Sequence, residues 1–169
     1  MIKKYDFSNL ISKNDNDSLI ELVNQKFETG DWHKDSPTFQ TYPDLFEYDV
    51  AYKFKNSFLF SCYSYMKMEI KWFKLKAWCY MDYYDNWITK DKDAQWHHHP
   101  AKLSGIFYLY NPKSVKNYPL AGTEFLEDDI PNIIPEDFCW FIYPSEYVHR
   151  PGQIQTNDKR YTLAADLYF

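Results

Sequence analysis

Three consecutive histidines, His97, His98 and His99, stand far upstream of a fourth, His149, which is followed by Arg160 and Thr162. Neutral imidazole is the commonest protein ligand for iron, zinc and copper. On an extended segment, side chains two apart share a face, so His97 and His99 project one way and His98 the other. His149 ends a run, Phe138 to Val148, that reads as a strand, a Pro144-Ser145 turn and a second short strand. Alternation also puts Arg160 and Thr162 on one face of the last strand, where a guanidinium and a hydroxyl suit a carboxylate. The expected chemistry is a metal ion held by His97, His99 and His149, with an acidic co-substrate at Arg160 and Thr162. The plainer alternatives are a surface histidine cluster without metal, a core histidine at position 149, and an ordinary salt bridge from Arg160 to Asp158 or Asp166.

Histidines so far apart meet only if the chain folds back on itself. With 16 Tyr, 13 Phe and 6 Trp against 4 Gly, the composition favours sheets over helical bundles. From about Lys74 the sequence breaks into short aromatic and β-branched runs: Leu75 to Tyr83, Gln95 to His99, Ser104 to Tyr110, Thr123 to Leu126, Phe138 to Tyr143, Tyr147 to Arg150 and Tyr161 to Tyr168. Turn-formers such as Pro135-Glu136-Asp137 and Thr156-Asn157-Asp158 separate them. Before Lys74 the spacing is helical. Asn14 to Ser18 offers caps for a helix through Leu19, Leu22, Val23 and Phe27 that Gly30 ends, and a second helix runs from Pro43-Asp44 towards Lys71. The expectation is a mainly β chain of 169 residues forming a single domain. Its jelly-roll core would span 74–169 and be about eight strands, with mostly helical support from 1–73 packed outside.

A net charge of -5 and the lack of any basic run argue against nucleic acid as a partner. Three widely spaced cysteines, Cys62, Cys79 and Cys139, and an N-terminal segment without an apolar stretch suit a reducing, cytoplasmic home. The longest apolar window, Phe58 to Tyr65, falls far short of the ~20 residues of a membrane span.

In the order Trp78, His97-His98-His99-Pro100, Ser104-Gly105-Ile106-Phe107-Tyr108, Gly122, Phe125, Tyr143-Pro144-Ser145, His149 and Arg160-Tyr161-Thr162, the chain resembles the Fe(II)/2-oxoglutarate-dependent oxygenases. Within them it is most similar to small oxygenases of marine bacteria and their phages, and the likeness spans about Leu75 to Phe169. The resemblance implies a double-stranded β-helix, cupin-like, with iron at its open end. It implies 2-oxoglutarate and O2 as co-substrates, with the distal carboxylate of the keto-acid on Arg160 and Thr162. Tyr108 or Tyr80 would add a hydroxyl. The implied reaction is hydroxylation of an amino acid, a peptidyl side chain or a small metabolite, with succinate and CO2 as by-products.

One position departs from that pattern. Where His-x-Asp or His-x-Glu is usual, position 99 is His. Three registers stay open: a three-histidine site of His97, His99 and His149; a site starting at His99 with Ala101 in place of the carboxylate, which would imply halogenation; or a carboxylate arriving from elsewhere, for example Glu124. Trp78, Trp96 and Tyr147 are candidates for the substrate mouth. The rival functions are a non-enzymatic jelly-roll binding module and a three-histidine cupin-type dioxygenase that needs no keto-acid.

Overall fold

The computed structural model of the chain describes residues 1–36, 39–83, 96–113, 122–152, 154 and 156–169. The first helix, α1 (Lys13–Thr29), begins a turn earlier than the Asn14–Ser18 cluster suggests. Its cap is Ser12, which forms a capping box with Asp15, and Gly30 closes it at φ 78. The second expected helix is broken. Two short 3-10 turns, Leu45–Glu47 and Asp49–Ala51, lead into α2 (Tyr52–Met66), which stops at Lys67 in the left-handed conformation. Lys71 therefore lies beyond it.

Among the described residues there are eight strands: β1 (Lys3–Asp6), β2 (Phe39–Gln40), β3 (Lys74–Asp82), β4 (Leu103–Tyr110), β5 (Thr123–Phe125), β6 (Cys139–Pro144), β7 (His149–Pro151) and β8 (Arg160–Tyr168). Six form a sheet in the order β1-β6-β4-β8-β3-β2, and β5 pairs with β7, every pairing antiparallel. Two elements depart from expectation. The first 73 residues also contribute β1 and β2, strands of four and two residues that are too short for periodicity to reveal. The Gln95 to His99 segment is no strand over its described part, 96–99. His97 makes a single antiparallel bridge to His149 instead, and Gln95 lies outside the described residues.

The large sheet is covered on both faces, and strand alternation sorts its residues between them. One face presents Ala77, Cys79, Phe107, Trp140, Leu163 and Leu167 to Leu19 and Val23 of α1 and Phe54 and Phe58 of α2. Phe54 meets Phe107 edge-on at 5.3 Å, and Phe58 lies 5.0 Å from Trp140. Each fully buried aromatic of this kind contributes on the order of 2 to 3 kcal/mol. Buried polar groups fix the helices in place: Trp140 Nε1 donates to Ser57 Oγ at 2.9 Å, and Asn16 Nδ2 to the Leu109 carbonyl at 2.9 Å. The opposite face carries Tyr80, Ile106, Tyr108, Phe141, Tyr143 and Ala164, and Phe125 and Ile133 pack onto it from the small sheet and its neighbouring loop. That second face holds the candidate site. The mainly β architecture with helices packed outside is thus the observed one.

Candidate metal centre

His97 and His149 are positioned by backbone. The His97 N–H donates to the His149 carbonyl at 3.0 Å, and the His149 N–H to the His97 carbonyl at 2.8 Å. The His99 N–H donates to the Ser145 carbonyl at 3.0 Å, which turns its ring towards the same point. Ring centroids lie 4.6 Å apart for His97 and His149, and 5.1 Å apart for both His97–His99 and His99–His149. One ring nitrogen from each of the three falls within 4.8 Å of the others. His97 is exposed, His99 half-buried and His149 buried, so the cluster opens to solvent at one end. His98 is exposed and is not part of the cluster.

Two of the rings are fixed by their far nitrogens. His149 Nδ1 donates to the Tyr147 carbonyl at 2.8 Å, because a carbonyl only accepts, and Nε2 is left with its lone pair. Burial, then the neighbouring His97 imidazole, pulls the His149 pKa down to about 3, so the ring is neutral at physiological pH and able to bind a metal. His99 Nδ1 lies 2.8 Å from Asp166 Oδ1, and Ser104 Oγ donates to the same oxygen at 2.7 Å. Metal-bound histidines commonly engage a carboxylate or carbonyl in this way, which sets both tautomer and ring angle.

Below the histidines, rows of cross-strand partners line the same face. Tyr80, Thr162 and Tyr108 stand abreast on β3, β8 and β4, and Asp82 faces Arg160 on β3 and β8. Arg160 is fully buried; its Nη2 donates to Asp82 Oδ2 at 3.0 Å and to the Gly152 carbonyl at 3.3 Å. Burial works against the guanidinium charge, but Asp82 outweighs it and raises the pKa. The expected partners Asp158 and Asp166 are not the ones seen in this bond, since Asp166 turns to His99. Among the described residues, Arg160 Nε and Nη1, Thr162 Oγ1 and the Tyr143 hydroxyl are buried without a hydrogen-bond partner. Unsatisfied donors of this kind are costly, and a carboxylate among them would satisfy several at once. The donor set therefore fits an acidic co-substrate.

Other candidates occupy different places. The Tyr108 hydroxyl is hydrogen-bonded to Thr123 Oγ1 at 3.0 Å, and burial pushes its pKa up to about 12. Burial also raises Tyr80 and Tyr143, so these phenols remain neutral donors. Glu124 does not reach the histidines: its Oε2 accepts from Arg150 Nε at 2.8 Å. Ala101 takes part through its carbonyl, which accepts from Ser145 Oγ. Trp78 is half-buried, its ring 5.3 Å from His99. Trp96 is covered by the Arg150 guanidinium at 4.3 Å, and Tyr147 packs edge-on against Phe125 at 6.1 Å.

Asp82 has no role in the sequence reading, Tyr143 enters it only within the Tyr143-Pro144-Ser145 motif, and Asp166 only as an alternative salt-bridge partner of Arg160. Strand alternation sets Asp82 on the Tyr80 face and Asp166 on the Arg160 face, and the register of β3, β4 and β8, which no local pattern shows, makes them neighbours of the site.

No protein-family sequence model matches the chain, and no curated protein matches it by sequence. Solved structures do resemble it. The viral collagen prolyl hydroxylase of Paramecium bursaria chlorella virus-1, in complex with 2-oxoglutarate, superposes with a TM-score of 0.67 at 13% identity, covering 98% of this chain and 94% of that one. A Pseudomonas putida prolyl-4-hydroxylase superposes at 0.63 with 10% identity, covering 99% and 91%. HygX from Streptomyces hygroscopicus, with nickel and 2-oxoglutarate bound, gives 0.63 at 10% identity, covering 99% and 82%. At such identities the likeness is one of architecture: the chain has the jelly-roll fold of the Fe(II)/2-oxoglutarate-dependent oxygenases.

Proposed function

We propose that the protein is an Fe(II)- and 2-oxoglutarate-dependent oxygenase that hydroxylates an amino acid, a peptidyl side chain or a small metabolite. The observation that carries this is the convergence of His97, His99 and His149, with ring nitrogens within 4.8 Å of one another and burial running from exposed to buried across the three. The three imidazoles are the candidate ligands, which makes the three-histidine register the favoured one over a site centred on Ala101. Bound iron supplies the activation of O2, coupled to decarboxylation of the keto-acid to succinate and CO2. The chain's own part is to bind and orient. Arg160 Nη1 and Nε, Thr162 Oγ1 and the Tyr143 hydroxyl are the donors that would take the distal carboxylate, with Tyr80 and Tyr108 shaping the pocket beside them. Trp78, Trp96 and Tyr147 would form the mouth through which substrate enters, and their apolar surfaces would keep water from the reacting centre.

A specific contact favours a second reading. Asp82 already engages Arg160, which leaves a cationic site part-neutralised before any diacid arrives. A three-histidine dioxygenase without keto-acid accommodates that contact more easily. Anaerobic calorimetry with Fe(II), followed by 2-oxoglutarate, separates the two. Stoichiometric iron uptake and then keto-acid binding, with succinate released in the presence of a substrate, is the expected result. Iron uptake with no response to millimolar 2-oxoglutarate favours the second reading, and no iron uptake leaves a jelly-roll binding module.

A further inference from the structure

Position 99 carries an imidazole where the pattern that the sequence resembles has a carboxylate, yet a carboxylate does stand next to it. Asp166 on β8 is buried, with a side chain only 3% exposed. Among the described residues its hydrogen-bond partners are polar side chains: His99 Nδ1 at 2.8 Å and Ser104 Oγ at 2.7 Å on Oδ1, and the Tyr168 hydroxyl at 3.2 Å on Oδ2. A buried carboxylate is costly unless it is hydrogen-bonded and paired, and its partner here is a candidate metal ligand.

Resting on the oxygenase reading of this site, we propose that Asp166 supplies, one hydrogen bond away from the metal, the negative charge that His99 does not provide. Acting through His99 as a positioning residue, it makes Nδ1 the protonated nitrogen and turns Nε2 towards the other two imidazoles. The ring then carries part of the carboxylate's charge to the ion, as in other carboxylate–histidine–metal arrangements. Ser104 and Tyr168 hold the carboxylate at the angle that His99 needs. An aspartate at position 99 would face Asp166 across a distance now spanned by an imidazole hydrogen bond, and two carboxylates enclosed together repel. Histidine at position 99 and aspartate at 166 are therefore one unit, and neither is replaceable alone.

The test is anaerobic Co(II) titration of the full chain, read by calorimetry and by visible absorption, with circular dichroism and thermal unfolding as the check on folding. Asp166→Asn is expected to weaken Co(II) about ten- to a hundred-fold and to alter the absorption spectrum, while Asp17→Asn, the same loss of charge at an exposed position on α1, leaves the affinity within about two-fold of wild type. His99→Asp alone is expected to weaken binding although it restores the usual ligand type, and it leaves Asp166 untouched should Asp166→Asn fail to fold. The double variant His99→Asp/Asp166→Asn is expected to regain at least about ten-fold over His99→Asp. Wild-type affinity in folded Asp166→Asn, equal or tighter binding in His99→Asp, or no recovery in the double variant would overturn the proposal and leave the three-histidine site standing. Failure of the wild-type protein itself to bind Co(II) would overturn both.

Discussion

Asp82 and Arg160 face each other across β3 and β8, both side chains fully buried, with Arg160 Nη2 3.0 Å from Asp82 Oδ2. The pair holds the guanidinium in place from one side and leaves Nε and Nη1 for something else. Breaking such a pair from one side strands a charge. Arg160→Met is expected to destabilise the fold by about 3 to 5 kcal/mol, whereas Asp82→Leu/Arg160→Met recovers most of that loss in urea unfolding. If the double variant is no more stable than the single one, the pair is not the source of the cost.

Where the paired variant folds, it also tests the acid site. Removing a charge-assisted carboxylate partner costs about 2 to 4 kcal/mol, or roughly thirty-fold to nearly a thousand-fold in affinity. The 2-oxoglutarate affinity of Asp82→Leu/Arg160→Met is expected to fall by that factor in calorimetry while Fe(II) uptake is retained. Unchanged keto-acid affinity would place the acid site elsewhere, with Lys159 the next residue to test.

The histidine cluster predicts an unequal outcome for neighbouring residues. His97→Ala, His99→Ala and His149→Ala are each expected to abolish stoichiometric Fe(II) uptake, and His98→Ala to leave it within about two-fold of wild type, since His98 is not among the three clustered imidazoles. Full metal affinity in His97→Ala combined with its loss in His99→Ala would transfer the site to the register that begins at His99.

Gly105 lies on the helix face of β4, between Ser104 and Ile106 on the site face. A Cβ there would come within 2.6 Å of Phe58 Cε2 and 2.8 Å of Ile142 Cδ1. Gly105→Ala is therefore expected to cost about 1 to 3 kcal/mol by overpacking. The compensating Phe58→Leu should return part of it, measured by thermal unfolding of the single and double variants.

Acid sensitivity has an identifiable contributor at the start of α1. Burial alone would raise Asp15, but Lys53 and the Ser12 hydrogen bonds outweigh it and bring the carboxyl down to about 2. With the folded value below the unfolded one, the stabilisation is complete above about pH 4 and is lost as the pH falls towards 2. Asp15→Asn is expected to lower stability by about 1 to 2 kcal/mol at neutral pH, and its difference from wild type should shrink to near zero by pH 2. A gap that stays constant across that range would mean that packing, and not charge, explains the loss.

Much of the site was legible because β-structure converts spacing into direction. Parity places Arg160 with Thr162 on β8, and the run up to His149 folds as a strand, a turn and a strand; His97 and His99 converge although their segment is not a strand, through the bridge to His149 and the hydrogen bond to Ser145. What the sequence withheld was register. Asp82 is opposite Arg160, and Asp166 is level with Ser104, only because β8 lies between β3 and β4 in a particular alignment. No local pattern encodes that. β1 escapes a sequence reading for a similar reason: four residues become a strand only when Cys139 to Ile142 are present to pair with them. The second helix was overextended because its apolar spacing continues through segments that the backbone resolves as separate 3-10 turns.

The reciprocal hydrogen bonds between the His97 and His149 backbones bear on how the protein meets its metal. Two of the three candidate ligands are joined through the main chain, so their separation is set when the barrel closes and not when an ion arrives. An ion entering such a site orders few additional degrees of freedom, so most of its binding energy would appear as affinity and as mass-action stabilisation of the fold. The same contact links a segment before β4 to the start of β7, so occupancy of the site would brace these two segments against each other.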